Sequence, residues 1–346
     1  MTTFVTPYGR SGASSRVRVF EWLDRIDGDH EIVSYVSHRN ASPRYLATHP
    51  ASVLQAERRL RRLARRPVGG SVFLHREASP LSRGGLEQRI LEAAGRSIYD
   101  FDDALQWDTG EGALHRRLAP KSAKALAAVG AADRVIAGNT ALADWASAFN
   151  DDVVVIPSCV APERYRVRSE YAIADPPRLG WIGSPNNEPY LSLIAEALRS
   201  VHRRTGARLT IIGTTPPQLG ALESMIDRIP WSEAAQHEQL ASFDIGVFPV
   251  PDERYSYGKS GYKLLQYAAA GVPCVATPIG VNAEMIDSMG LPAASTSDDW
   301  TESILHLLGL PEADRAALGK RARSVVIANY SFDAWLPRWK RTVGIA

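Results

Sequence analysis

The chain is poor in cysteine, in charge imbalance and in long apolar runs, and each shortage excludes a class of protein. Among its 346 residues only Cys159 and Cys274 are cysteines, far apart in sequence. That is too few for a disulfide framework or a cysteine metal site, so a reducing compartment is expected. No stretch of about 18 apolar residues occurs, and the opening MTTFVTPYGRSG has no basic flank before an apolar core. The expectation is a soluble cytoplasmic protein. With 40 basic against 38 acidic side chains the net charge is only +2, which gives no electrostatic reason to expect nucleic-acid binding. GxSxG, Walker, zinc and dinucleotide fingerprints are also missing, leaving hydrolase, kinase and dehydrogenase readings without support.

What is present is ordinary globular composition, 45% apolar and 23% charged, in a chain long enough for two domains. Short β-branched runs alternate with segments of helical spacing, the pattern of parallel sheets built from βαβ units. The first series is Thr3–Thr6, Ile32–Val36, Ser71–Leu74, Ser97–Phe101, Arg134–Ala137 and Val153–Ile156. A second begins at Arg178–Ile182 and continues with Arg208–Ile212, Ile245–Pro249 and Pro273–Ala276. Between them Pro157 to Pro177, with four prolines, suits a linker. Open parallel sheets bind ligands beyond the carboxyl ends of their strands, so a cleft between two such domains is the expected site.

Charge is uneven along the chain. Residues 1–150 hold 21 Lys/Arg against 16 Asp/Glu, and the remainder 19 against 22. Much of the excess lies in Ala56 to Arg66, AERRLRRLARR, where arginines cover every helical face except the stripe through Leu60 and Leu63. Arg58 to Arg66 thus reads as a weak contact with a membrane surface, a contact with a phosphorylated acceptor, or a solvated helix.

The segment richest in chemistry is Pro251 to Ile286, PDERYSYGKSGYKLLQYAAAGVPCVATPIGVNAEMI. Helical spacing from Lys259 to Ala270, stopped by Gly271, predicts Lys259 and Lys263 one turn apart on one face. Two ammonium groups in a first turn oppose the helix dipole unless an anion offsets them. A diphosphate held by two lysines and free backbone N–H groups meets that need without a metal.

Gly258, Lys259, the run Lys263 to Tyr267, Ala270 to Pro273, and Pro278, Gly280 and Asn282 resemble the nucleotide-sugar signature GKxxxKLLQYMAxGxPVVxxPxGxN. This is the bacterial branch of the retaining glycosyltransferases of the GT-B fold, glycosyltransferase family 4. Along the chain LGWIGS at 179–184, DIGVFP at 244–249, SSRV at 14–17, IYDFDDA at 98–104 and DRVIAGN at 133–139 are similar to the same branch. The resemblance implies two Rossmann-like parallel-sheet α/β domains facing each other across a cleft. Residues 1–157 are the expected acceptor domain, joined by a returning helix 333–346 whose stripe is Trp335, Leu336 and Trp339. Residues 158–177 are the linker and 178–332 the nucleotide-sugar domain. The implied activity is transfer of a sugar from a nucleoside diphosphate donor, UDP by preference, to an acceptor hydroxyl with retention, without metal or cofactor. The acceptor is a small molecule, a lipid-linked sugar or a glycan, handled by loops such as Val36 to His49 and Gln106 to Leu118. Rival readings are an epimerase or hydrolase on the same fold and a non-catalytic binding member.

Site roles follow from the same resemblance. Lys259, Lys263 and the Gly183-Ser184 amides would stabilise the departing diphosphate. Gly12, Ser14 and Arg16 would add donors from the first domain, Arg16 being equally well an ordinary surface residue. Trp231 stands where the nucleobase is commonly met, and core packing explains it as well. The family's two glutamates are replaced by Gly258 and Gln266, so ribose recognition should weaken. A basic pair usual after the first donor-domain strand is missing from GSPNNEPYL. In place of the family's His-Asp pair stands Tyr99-Asp100-Phe101-Asp102-Asp103, with Asp102 at the histidine position. Asp102, with Asp103, could orient the acceptor hydroxyl, cap a helix, or form a metal-binding DxD. His75 near a strand end reads as structural or exposed.

Overall fold

The computed structural model describes residues 1–37, 41–65, 68–108, 117–214 and 219–345, the side chain of residue 68 apart. Parts of both expected acceptor loops, as well as Arg66 and Ala346, lie outside the described residues. The chain divides into two compact units. The first comprises Met1–Ser158, Tyr257–Ser260 and Trp335–Ala346, and the second Cys159–Ser256 and Gly261–Ala334.

The first unit is a six-stranded parallel sheet in the order β2-β1-β3-β4-β5-β6. Its strands are β1 (Thr2–Tyr8), β2 (His30–Val36), β3 (Val68–His75), β4 (Ala94–Phe101), β5 (Arg134–Ala137) and β6 (Val153–Val155). Period-two alternation splits each strand between two faces. Val5, Val72 and Leu74 join one apolar cluster with Leu60 and Ile90. Phe4 and Phe73 instead meet Trp339, whose ring stacks on Trp22 at 5.1 Å and 3°. Trp339 belongs to the helix Phe332–Val343, and Arg96 donates to the Thr342 carbonyl at 3.0 Å. Of the expected stripe, Trp339 is buried while Trp335 and Leu336 are only partly so.

The second unit is a five-stranded parallel sheet, order β11-β10-β7-β8-β9. It consists of β7 (Arg178–Ile182), β8 (Arg208–Gly213), β9 (Ile226–Pro230), β10 (Ile245–Phe248) and β11 (Cys274–Ala276). β9 escapes the sequence pattern because it is an edge strand: Asp227 is exposed and its neighbours are only partly buried, so no apolar run marks it. The expected linker also needs correcting. It carries little regular structure, yet Cys159, Val160, Tyr165 and Tyr171 are buried. Arg168 pairs with buried Asp244 at 2.7 Å, and Val160 bridges to Ser331. Its prolines shape a strap packed into the second unit rather than a free connection.

Among the described residues no helix is long and apolar enough to cross a membrane. Truncating Trp339 removes a fully buried indole and its stacking on Trp22, so Trp339→Ala should lower stability by about 3–5 kcal/mol. Calorimetry reads this as a lower melting temperature. An unchanged transition would mean the helix does not hold the first sheet.

Candidate functional site

Strand order reverses between β7 and β10 in the second sheet, where open α/β sheets present ligand sites. The local sequence makes room there for two rings. Gly180 and Gly246 pair in register across these strands. A Cβ on Gly180 would lie 1.8 Å from the Phe243 ring, and one on Gly246 2.7 Å from the Tyr267 ring. Tyr267 is fully buried, accepts from the Ile182 N–H at 3.3 Å and donates toward the Val247 carbonyl at 3.2 Å. Burial pushes its phenol well above the ordinary range, so it stays a neutral anchor.

Tyr267 fixes the helix Tyr262–Ala269, and one turn earlier on the same face stands Lys263. Its ammonium lies 4.8 Å from the centre of the Phe248 ring and 5.2 Å from that of Trp181. Phe248 ends β10, and Trp181 is the penultimate residue of β7, so the charge stands at the carboxyl ends of both strands. Gly183 continues β7, and a Cβ there would meet the Trp181 ring at 2.6 Å and the Lys263 Cε at 3.0 Å. Its N–H, expected to face a phosphate, instead donates to the Ile212 carbonyl at 3.1 Å.

Around this point the other expected residues separate. Trp231 donates its N–H to the Gly213 carbonyl at 2.7 Å and packs, partly buried, against the unit's core. Gln266 is buried, its amide 3.5 Å from the Tyr165 hydroxyl, which also receives Gln236 at 3.1 Å. Glu188, unremarked in sequence because a glutamate before proline in a polar loop reads as solvated, is buried. Its Oε1 accepts from Arg228 at 2.7 Å, while Oε2 has no hydrogen-bond partner. Burial raises its carboxyl pKa, and Arg228 offsets part of that rise.

The two lysines are not on one helical turn. Gly261 has φ +63°, and a Cβ there would lie 2.8 Å from the Asn282 Oδ1, so the helix starts at Tyr262. Lys259 precedes it in Tyr257–Ser260, a segment of the first unit. There Asn139 caps the helix Thr140–Ala146 by accepting from the Leu142 N–H at 2.9 Å and donates to the Lys259 carbonyl at 3.1 Å. Gly258 is required sterically, because a Cβ would fall 2.6 Å from that of Ala104.

In the first sheet the order reverses between β1 and β3. Gly12 follows β1, and a Cβ on it would sit 2.4 Å from the Tyr8 Cβ, so its role there is steric. Ser14 is partly buried. Arg16 opens a π-turn, Arg16–Phe20, and is buried rather than on the surface. Arg18 in the same turn forms a buried pair with Asp100 and donates to the Ile156 carbonyl at 2.8 Å. His75 is wholly buried, and its Nδ1 meets the Asp100 Oδ2 at 2.7 Å. An ionised carboxylate only accepts, so Nδ1 carries the proton and buried Nε2 is left without a partner. His75 is therefore structural.

Arg76, next in the chain, adopts φ +59°, the only positive φ outside glycine among the described residues. Its guanidinium holds the Asp102 Oδ1 at 2.6 Å and lies 3.6 Å from the Asp103 Oδ2. With Asp100 taken by Arg18 and His75, and Asp102 by Arg76, the DxD arrangement does not fit a cation. Among the described residues these acids cap no helix either, Asp103 Oδ1 accepting from the adjacent Ala104 N–H at 3.1 Å. Beside Arg76 a pocket is lined by Pro7, Tyr8, Glu77, Leu105 and Lys121. Burial alone would raise the Asp102 carboxyl pKa, but the charges of Arg76, His75 and Arg18 outweigh it and hold it below the ordinary 3.8.

Against known proteins, residues 176–309 match the family model described as glycosyl transferases group 1. No curated protein sequence matches the chain. Solved structures share its fold at low identity. Anabaena HepE in complex with UDP and glucose aligns with TM-score 0.71 and 10% identity over 99% of each chain. WaaG, a glycosyltransferase involved in lipopolysaccharide biosynthesis, gives 0.66 and 14% over the whole of both. A UDP-forming α,α-trehalose-phosphate synthase from Burkholderia vietnamiensis gives 0.65 and 11%, over 99% of this chain and 100% of that one. Two parallel-sheet α/β units on this plan are the architecture of GT-B glycosyltransferase structures.

Because the Asp102 pKa is lowered on folding, its ionised form contributes stability above about pH 4, lost as pH falls through the folded value. Asp102→Asn should cost about 1–3 kcal/mol near neutrality by removing the carboxylate that Arg76 holds at 2.6 Å. Melting temperatures of the two proteins should converge in acid, and a gap independent of pH would contradict the pairing.

Proposed function

We propose that the chain is a glycosyltransferase that moves a sugar from a UDP-linked donor to an acceptor hydroxyl with retention of anomeric configuration and without a metal. The observation that carries this reading is the Lys263 ammonium at the β7/β10 reversal beside Gly183, within the stretch that matches the glycosyl transferases group 1 model. Retention and metal independence rest on the resemblance of the signature segment alone.

The barrier in such a transfer lies in separating a diphosphate from an oxocarbenium-like carbon, so the useful protein group is fixed positive charge at the leaving oxygen. In this reading Lys263 takes that role, with the Ser184 amide beside it. Its aromatic seat holds the ammonium over Trp181 and Phe248, and a diphosphate would draw it off the rings. Lys259 adds charge from its own segment, anchored through its carbonyl by Asn139. Trp231 meets the nucleobase, and Gln266, already bonded to Tyr165, gives the ribose at most a weak contact.

In the first unit Asp102 accepts a hydrogen bond from the acceptor hydroxyl and orients it. Held by Arg76, it is a weak base, so it can take the proton only late, once bond formation has made the hydroxyl acidic. Asp103, Gly12, Ser14 and Arg16 stand as supporting candidates. The acceptor belongs to the small molecules, lipid-linked sugars or glycans.

Lys263→Ala should keep the fold by circular dichroism, weaken UDP binding in calorimetry and lower kcat/KM by about 100-fold or more. Unchanged kcat/KM would remove the diphosphate role. NMR of donor without acceptor should show it intact over the time in which acceptor is glycosylated. Consumption of donor alone favours a hydrolase or epimerase, and no saturable UDP heat favours a non-catalytic member.

A further inference from the structure

The helix Pro50–Leu63 has two faces that the proposed transfer chemistry leaves unused. Val53, Ala56, Leu60 and Leu63 pack it onto the first unit's core. On the opposite side Ala51, Leu54, Arg58, Arg61 and Arg62 fall within about 100° of arc, and Arg65 follows just past the helix end. All are exposed, Leu54 by 50%. No acidic residue shares that arc. Glu57 stands at its flank, 3.9 Å from Arg61, and Glu31 pairs with Arg59 outside it. Arg58, Arg62 and Arg65 have no acidic partner among the described residues.

A solvated surface helix ordinarily mixes charges of both signs, which gains pair energy and avoids self-repulsion. This face has one sign only, with a leucine among the arginines. Nucleic acid is a poor match: no aromatic ring is on the face for bases to stack on, and the whole chain is nearly neutral. Cations around an exposed aliphatic side chain on a helix lying flat are what an anionic bilayer surface accepts, the arginines meeting phosphates while the leucine enters the headgroup boundary. We propose that this face docks the first unit on a membrane surface rich in anionic phospholipid. Each arginine contributes a modest, additive and salt-screened increment, so the attachment is reversible.

Vesicle flotation with the full chain tests this, comparing phosphatidylcholine alone with phosphatidylcholine mixed with phosphatidylglycerol. The protein should float with the mixed vesicles only and be released as salt is raised. Arg58→Gln with Arg62→Gln should weaken partitioning about 25-fold, near fivefold per charge, and flatten the salt dependence. Leu54→Ser should weaken partitioning while leaving the salt dependence intact. Melting temperatures of these variants should match the parent and so report an intact fold. Equal flotation with neutral vesicles, no flotation at low salt, or retention in the double arginine variant each overturns the proposal. So does release from mixed vesicles by RNA at concentrations where RNA binds the helix more tightly than lipid.

Discussion

The second unit is organised around a gap between β7 and β10 that only glycine can leave open. Phe243 occupies the space a side chain at Gly180 would need, and Tyr267 the space one at Gly246 would need. The Tyr267 hydroxyl is anchored to the backbones of both strands, which fixes the rotation of its helix about its own axis. Rotation fixes which residue faces the carboxyl edge, and one turn toward the N-terminus that residue is Lys263. A buried phenol and two missing side chains therefore determine where a cation stands at the strand-order reversal. The cost of filling either gap falls on the sheet, the helix and the site together.

The first unit solves a comparable problem with charge. Arg18 and His75 converge on Asp100, and Arg76 on Asp102, at the ends of β3 and β4. Buried ions are costly unless their partners are also fixed, so these groups constrain one another and the loops that carry them. The left-handed backbone of Arg76 is tolerated because three contacts define it: its N–H on the Asp100 carbonyl, its carbonyl on the Tyr99 hydroxyl, and its guanidinium on Asp102. Asp102 is therefore a positioned hydrogen-bond acceptor and not a free base.

The strands of both sheets are legible in the sequence because buried parallel strands need β-branched runs, and only the polar edge strand β9 fails that test. Lys263 is legible too, through its spacing from Tyr267. The start of its helix is not, because apolar periodicity continues through Lys259 while the deciding feature is the left-handed Gly261 against Asn282, a contact across 21 positions of the chain. The role of Gly258 is likewise tertiary, a close approach to Ala104 that sequence shows only as a glycine, whereas Gly12 approaches Tyr8 four positions away. Nothing local marks Arg18, Arg76 or Glu188, and the burial of Arg18 and Glu188 follows from partners distant in the sequence.

In the proposed transfer the diphosphate of a nucleotide meets Lys263 beside Gly183. A crystal structure of the chain with UDP tests it most directly. A phosphate oxygen should lie about 3 Å from the Lys263 Nζ, with the ammonium drawn off the Phe248 and Trp181 rings. Phosphates bound elsewhere, with the ammonium still seated over those two rings, would contradict it.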